Sequence, residues 1–404
     1  MESTLLPHPK LDFFRSCHRV YYFATGEFIQ QSNGFRVPFY LCHILNELGF
    51  EAYVTAKKQA PNLRTPLLTP AIASKHKKDG REVVAVYTEA MWGNILGGGV
   101  AVRWILNRIG LLINESKYPN DLFFYWDNRY SKNKSVATQL KTCYIDPDIF
   151  YIDEDKDKKR HGFAYYAHKY IRDFRGDIPE DIKKCGISLC HDIPRTHCEI
   201  ADILRNVKVL YCFEDSAIIL EAVACGCIAV LLKTEFTSHI GEKTEYIDYV
   251  QNLEDFRKDN DFVYIGETYR NFSESIEETK SGIAGFILTT QQVKLTGTRK
   301  QDEFIKFIQE HEEIYIYGTG LTAEVVYNTV IAAGLSVNGF IVSDEYYSDR
   351  TKLVSGLPVV PLSGFIKINN EETGVITAML HRHVEQVLPL LKKNGVHIYN
   401  PVLY

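Results

Sequence analysis

Phe213–Leu232 reads FEDSAIILEAVACGCIAVLL. With the residues just before it, Val207–Phe213 (VKVLYCF) is a β-branched and aromatic run of strand length, and Cys227–Leu232 (CIAVLL) is a second. Between them, Glu214-Asp215-Ser216 supplies the acidic and hydroxyl groups that open helices, Ala217–Cys225 predicts the helix itself, and Gly226 is its stop. Strand, turn, helix, strand over this span is a βαβ unit, and a βαβ unit imposes parallel pairing.

The same pattern extends in both directions. Upstream, Arg19–Phe23 (RVYYF) predicts a strand, Gln30–Gly34 a polar loop, and Val37, Tyr40, Leu41, Ile44, Leu45 and Leu48 a helix that stops at Gly49. Glu51–Val54, Glu82–Tyr87 and Asp121–Trp126 predict further strands, and the glycine run Gly97–Gly99 leads into VAVRWILNRIG, an apolar stretch expected to be helical as far as Gly110. The charge run DEDKDKKR (153–160) marks a boundary, and the polar residues 251–300 predict helical return segments and a linker. Downstream, Phe304, Ile305, Phe307 and Ile308 predict an amphipathic helix. Strands at Glu313–Tyr317 and Val337–Val342 then flank Gly318-Thr319-Gly320 and an apolar helix that ends at Gly334. The expectation is an α/β protein of three blocks, 1–150, 151–295 and 301–404.

Composition narrows the class. The 404 residues carry 46 basic and 51 acidic side chains, a formal net charge of −5, which argues against a dedicated nucleic-acid binder. No apolar run reaches about 18 residues, so no transmembrane helix is expected. MESTLLPHPKLDFFRS lacks the basic and then apolar order of a secretory signal. Nine cysteines at irregular spacing, several inside apolar runs, fit reduced thiols and a cytoplasmic protein. Cys185, Cys190, His191, His197 and Cys198 are ligand types that suit zinc, but without a CxxC pair they read as core and surface residues, and no metal site is expected.

The chemistry points to the 213–232 segment. Free N–H groups at a helix start attract phosphate, and ligands of open α/β sheets collect at the carboxyl edge. Ser216 can donate to a phosphate oxygen, and Glu221, just over a turn further on, can accept both hydroxyls of a ribose.

This string resembles the donor-nucleotide motif of GT-B glycosyltransferases, with Glu221, Ala222, Cys225, Gly226, Cys227 and Val230 in the motif positions. A second string, VYTEAMWGNILGGGVAVRWILNRIG (86–110), is similar to one in bacterial glycosyltransferases of cell-surface polysaccharide synthesis. The matches are Glu89, Gly93-Asn94, Arg103-Trp104, Leu106-Asn107 and Gly110, with Ile95 where the family has proline. Ser32-Asn33-Gly34 resembles the loop at the first domain's cleft edge. The resemblance implies two Rossmann-like domains facing a cleft, with 1–150 on the acceptor side and 151–295 binding the donor. It implies transfer of a sugar from a nucleotide-sugar to a glycan or lipid-linked glycan acceptor such as O-antigen, lipopolysaccharide or capsule. Neither a metal nor a resident cofactor is required. The protein would be cytoplasmic or peripheral to the inner face of the membrane, with its oligomeric state open. Donor-side residues would be Asn33, Gly34, Arg160, Lys169, Glu214, Asp215, Ser216 and Glu221, and acceptor-side chemistry would fall to Glu89 first and Asp127 second.

Gly318-x-Gly320-x-x-Ala323, with Asp344 beyond the next strand, is a dinucleotide-type fingerprint in the right context. It resembles a small Rossmann-like module found with sugar-modifying enzymes, which implies an accessory third domain. Two alternatives stand beside the transferase reading: an NAD-dependent oxidoreductase acting on a sugar nucleotide through this motif, and a non-catalytic nucleotide-sugar binder.

Overall fold

The computed structural model describes residues 18–399, apart from 31, 90, 92, 107–117, 119, 132–137, 143–144, 147, 154–158, 215, 233, 235–263, 294–302, 349–351 and 380. The chain is α/β, built on three largely parallel sheets. Contacts divide it into two compact units. One comprises residues 1–29, 34–142 and 280–404, and the other residues 30–33 and 143–279.

In the first unit the chain runs β1 (Val20–Ala24), α1 (Asn33–Glu47), β2 (Ala52–Val54), α2 (Pro70–Lys78), β3 (Val83–Thr88), β4 (Val100–Ile105) and β5 (Leu122–Tyr125). The five strands are parallel, in the order β2-β1-β3-β4-β5. Two expectations fail here. Val100–Ile105, expected to be helical, is strand β4, paired with β3 from Val84↔Val100 to Thr88↔Trp104. All six of its residues are buried, so both faces are covered. A run of Val, Val, Trp and Ile then satisfies a central parallel strand as well as it would a buried helix. Gly34, expected in a loop, lies in the first turn of α1.

Arg103 belongs to this strand and is fully buried. Its Nε donates to Asp121 at 2.8 Å, its two Nη groups donate to the carbonyls of Met91 and Gly93, and its guanidinium lies 4.6 Å from the Tyr87 ring centre and 4.1 Å from that of Tyr118. Arg103 thereby closes the β3–β4 loop over the sheet.

The second unit contains β6 (Phe163–Tyr166), α3 (His168–Phe174), α4 (Glu180–Cys185), β7 (Ile187–Ser188), α5 (His197–Asn206), β8 (Val209–Cys212), α6 (Ile218–Ala224) and β9 (Ile228–Leu231). Its four parallel strands run β7-β6-β8-β9. The βαβ reading of 207–232 matches β8, α6 and β9; β6 and β7 carried no clear signal. Then α7 (Tyr264–Gln292) fills much of the segment expected to be helical return, and its residues from Lys280 onward belong to the first unit. There Phe286 packs against Tyr21 and Phe124 at ring distances of 5.6 and 5.1 Å. Arg19 donates to the carbonyls of Thr290 (2.7 Å) and Val293 (2.8 Å), so a cation meets the helix's carbonyl end.

The remaining elements of the first unit are α8 (Glu303–Gln309), β10 (Glu313–Tyr317), α9 (Leu321–Ala332), β11 (Gly339–Val342), β12 (Leu353–Val354), β13 (Leu357–Pro361), α10 (Leu362–Ile368), β14 (Thr373–Thr377), α11 (His381–Lys393) and β15 (His397–Tyr399). Their sheet runs β12-β13-β11-β10-β14-β15, parallel except for the β12–β13 hairpin. This sheet and the first share one core. Ala24, Ala85, Tyr87 and Ala101 cluster with Ala323, Val325, Val326 and Val330 of α9, and with Ile316 and Phe340 of the third sheet.

Arg103→Met will leave Asp121 buried without its cation, a loss of about 3–5 kcal/mol. Urea unfolding will show a lower midpoint, and adding Asp121→Leu will recover part of the loss.

Candidate functional site

In the second unit the chain leaves β6 for β7 on one side and then crosses to β8 on the other, so the point where the winding reverses lies between β6 and β8. Open α/β sheets hold ligands at the carboxyl edge of that point. Here the edge is built by Tyr166, His168, Lys169 and Arg172 after β6, His191 after β7, and Glu214 and Ser216 after β8.

Glu214 organises the edge. It is fully buried. Its Oε2 accepts the Tyr170 N–H at 2.7 Å, and the Lys169 N–H also donates to the carboxylate, which ties the end of β8 to the start of α3 across the reversal point. Its Oε1 is buried without a hydrogen-bond partner. Burial pushes its pKa above the ordinary carboxylate range, against the pull of Lys169, the two N–H groups and Arg172. Tyr170 is held in turn by stacking on Phe213 at 5.5 Å. Gly176 passes so close beneath the Tyr170 ring that a Cβ there would overlap it.

Beside Glu214, the Tyr166 hydroxyl pairs with His191 Nε2 at 3.2 Å and with the Ser216 side chain. The His168 and His191 rings lie 4.0 Å apart. Burial, then His168, Arg172 and Lys169, lowers the His191 pKa to about 4. The edge is therefore rich in cationic groups around one buried acid, a setting that favours an anionic ligand.

Other expected residues fall as follows. Glu221 lies on α6 and is 4% exposed, whereas Asp215 lies outside the described residues, as does the Asn33 side chain. Arg160 requires a correction. Its guanidinium donates to the carbonyls of Leu204, Val207 and Cys225, at the C-terminal ends of α5 and α6. Those ends lie at the amino edge of the sheet, so Arg160 closes two helices and is spent at the side opposite the expected ligand.

In the first sheet, Glu89 follows β3 and Asp127 follows β5, with β4 between. Glu89 is 8% exposed and its Oε2 accepts the Leu106 N–H at 2.9 Å.

In the third sheet Gly318 stands where the order reverses, between β10 and β14. Its φ is +116°, and a Cβ there would sit 2.9 Å from the Ala378 carbonyl oxygen, so loop packing by itself requires glycine. A Cβ on Gly320 would meet nothing within 4 Å. The Asp344 carboxylate, at the acidic position of the fingerprint, accepts the Ser363 N–H at 3.0 Å in the first turn of α10.

Among the described residues no group of three or more His, Cys, Asp or Glu stands as metal ligands would. Cys190 Sγ accepts the Ala167 N–H, and His197 packs on Phe150 at 5.3 Å. No described helix is long and apolar enough to cross a membrane. Sequence reading named Lys169, Glu214 and Ser216 but passed over His168 and treated His191 only as one of the zinc-type residues. The signal that could have found them is the position of HK (168–169) and CH (190–191) directly after short apolar runs.

No protein-family model matches the chain, and no curated protein does. Among solved structures it is similar to the calicheamicin glycosyltransferase CalG4, at 9% identity and a TM-score of 0.40 over 68% of this chain and 97% of that one. It is similar to the sucrose-phosphate synthase (tll1590) of Thermosynechococcus elongatus, at 11% and 0.43 over 68% and 98%. It is also similar to the glycosyltransferase SnogD of Streptomyces nogalater, at 12% and 0.38 over 67% and 99%. Likeness at this level says nothing of activity.

His191 is held neutral in the folded state, with its pKa below the unfolded value. The fold therefore takes up fewer protons than the unfolded chain, and stability is lost as pH falls from about 6.5 towards 4. An NMR titration will place the His191 midpoint near 4, and His191→Asn will flatten the acid side of the thermal-stability profile.

Proposed function

We propose that the chain is a metal-independent glycosyltransferase of the GT-B kind. It transfers a sugar from a nucleotide-sugar to a glycan or lipid-linked glycan acceptor, with the donor held at the carboxyl edge of the second sheet. The observation that carries this reading is the fully buried Glu214, with one carboxylate oxygen unpartnered, among His168, Lys169, Arg172 and His191. A buried acceptor without a donor costs about 1–3 kcal/mol, and a hydroxyl-bearing ligand relieves that cost.

On this reading the leaving diphosphate is neutralised by Lys169 and Arg172, and Ser216 donates to a phosphate oxygen. Electrostatic stabilisation of the departing nucleotide is the main catalytic term for such a transfer. Glu221 accepts the ribose hydroxyls, and Glu214 accepts a hydroxyl of the sugar. Asn33 and Gly34 are donor-side residues on this reading, and acceptor-side chemistry falls to Glu89 or Asp127. The 301–404 block is accessory. The chain works in the cytoplasm or at the inner membrane face, on acceptors such as O-antigen or capsule precursors.

The oxidoreductase alternative loses ground on Asp344, whose carboxylate already closes α10, and on Gly318, which the Ala378 carbonyl requires.

Isothermal titration against UDP, GDP, CMP and NAD is the test. One nucleoside diphosphate will bind with EDTA present. Lys169→Ala and Glu221→Ala will each weaken it by about 1–3 kcal/mol, while Arg160→Ala will lower the melting temperature and leave affinity unchanged. Binding of NAD alone, or nucleotide affinity indifferent to both Lys169 and Glu221, would overturn the reading.

A further inference from the structure

A cavity of about 410 Å³ opens beside β2, the outermost strand of the first sheet. Its wall runs from Asn46, in the last turn of α1, through Glu51 and Tyr53 to the loop of residues 59–66. Glu51 opens β2, so the cavity begins at the amino edge of that sheet, away from Glu89 and Asp127, which follow β3 and β5.

Buried bonds behind the wall fix its shape. Asn46 donates to the carbonyls of Cys42 (3.0 Å), Ala52 (2.9 Å) and Arg64 (3.2 Å) and accepts the Ala52 N–H (3.2 Å), which joins α1, β2 and the loop. The Arg64 N–H donates to His43 Nδ1 at 3.0 Å, and Thr65 Oγ1 accepts the Ala60 N–H at 3.1 Å. Glu51 Oε1 accepts the Tyr53 hydroxyl at 2.7 Å and meets His76 Nε2 at 3.0 Å, while its Oε2 lies 3.1 Å from Arg81. Against burial, those three partners hold the Glu51 pKa below the ordinary carboxylate value, so it stays an acceptor.

Charge at the cavity is balanced: Arg81 answers Glu51, and Arg64 Nη1 stands 3.8 Å from Glu47. That balance disfavours a dedicated anion or cation site. Arg64 Nη1 also donates to the Asn46 carbonyl at 3.3 Å, but Arg64 Nε and Nη2, like the Gln59 amide, bond nothing among the described residues. The lining thus offers planar donor and acceptor groups beside the Tyr53 ring and Pro66. Vicinal hydroxyls, each donor and acceptor at once, suit a planar amide, guanidinium or carboxylate, and the C–H face of a sugar suits an aromatic ring. The volume lies in the range of small-molecule pockets and has room for a mono- or disaccharide.

We propose that this cavity is a saccharide-binding site, distinct from the donor edge of the second sheet, in which Arg64 and Gln59 read the hydroxyls of a neutral sugar beside Tyr53. Nothing in it uses the second unit, so it stands without the transferase reading.

NMR of the isotope-labelled full chain tests the site with glucose, galactose, mannose, rhamnose and N-acetylglucosamine and their disaccharides, and with sodium phosphate as the anion control. At least one saccharide will shift the Tyr53, Gln59 and Arg64 amides saturably in the millimolar range, and phosphate will not. Gln59→Ala, which removes no bond of the fold, and Arg64→Met will each weaken that saccharide about fivefold, the worth of one hydrogen bond. The nucleotide test reads Lys169 and Glu221 instead, so either reading can fail alone. No response of these amides to any of the saccharides, an equal response to phosphate, or saccharide affinity indifferent to Gln59 or to Arg64 would overturn the site.

Discussion

A helix with buried residues around most of its circumference must be covered from more than one side, and α9 is such a helix. LTAEVVYNTVIA offers no continuous polar stripe, and Ala323, Val325, Val326, Asn328, Thr329, Val330 and Ala332 are all buried. No single sheet can cover that surface. The first and third sheets therefore lie in one contact unit around a common core, with residues from β1, β3 and β4 set against α9 and β10. The Gly318 turn, the bond from the Glu27 N–H to the Glu324 carboxylate and the Lys57 contact with Tyr327 lie around the first half of α9.

The second unit is organised differently. Its sheet is small, four strands with β7 only two residues long. Its carboxyl edge is held by polar ties instead of apolar volume. Glu214 bridges the loops on either side of the reversal point, and Tyr166 links β6 to both His191 and Ser216. Ties of this kind fix geometry at the expense of desolvation, visible in the raised pKa of Glu214 and the lowered pKa of His191.

Legibility in the sequence followed burial pattern. The βαβ unit of 207–232 was readable because a strand, a helix and a glycine stop come in close succession. VAVRWI was misread because a strand buried on both faces loses its alternation and resembles a buried helix. Lys169, Glu214 and Ser216 could be named from their place beside strands, but the direction in which Arg160 spends its charge could not. Its partners are main-chain carbonyls 44 to 65 residues away, and carbonyls leave no trace in a sequence. The sharing of a core between the first and third sheets was equally hidden, because apolar composition shows that a face is buried and not what covers it.

The placement of α9 carries a consequence for biosynthesis. The strands of the first sheet end at Tyr125, but the helix that covers one of their faces begins at Leu321. At a ribosomal pace of roughly 5–20 residues per second, the nascent sheet waits about 10–40 s for its cover. During that interval the whole second unit emerges and can fold, while the face bearing Ala24, Ala85 and Tyr87 stays open to chaperones.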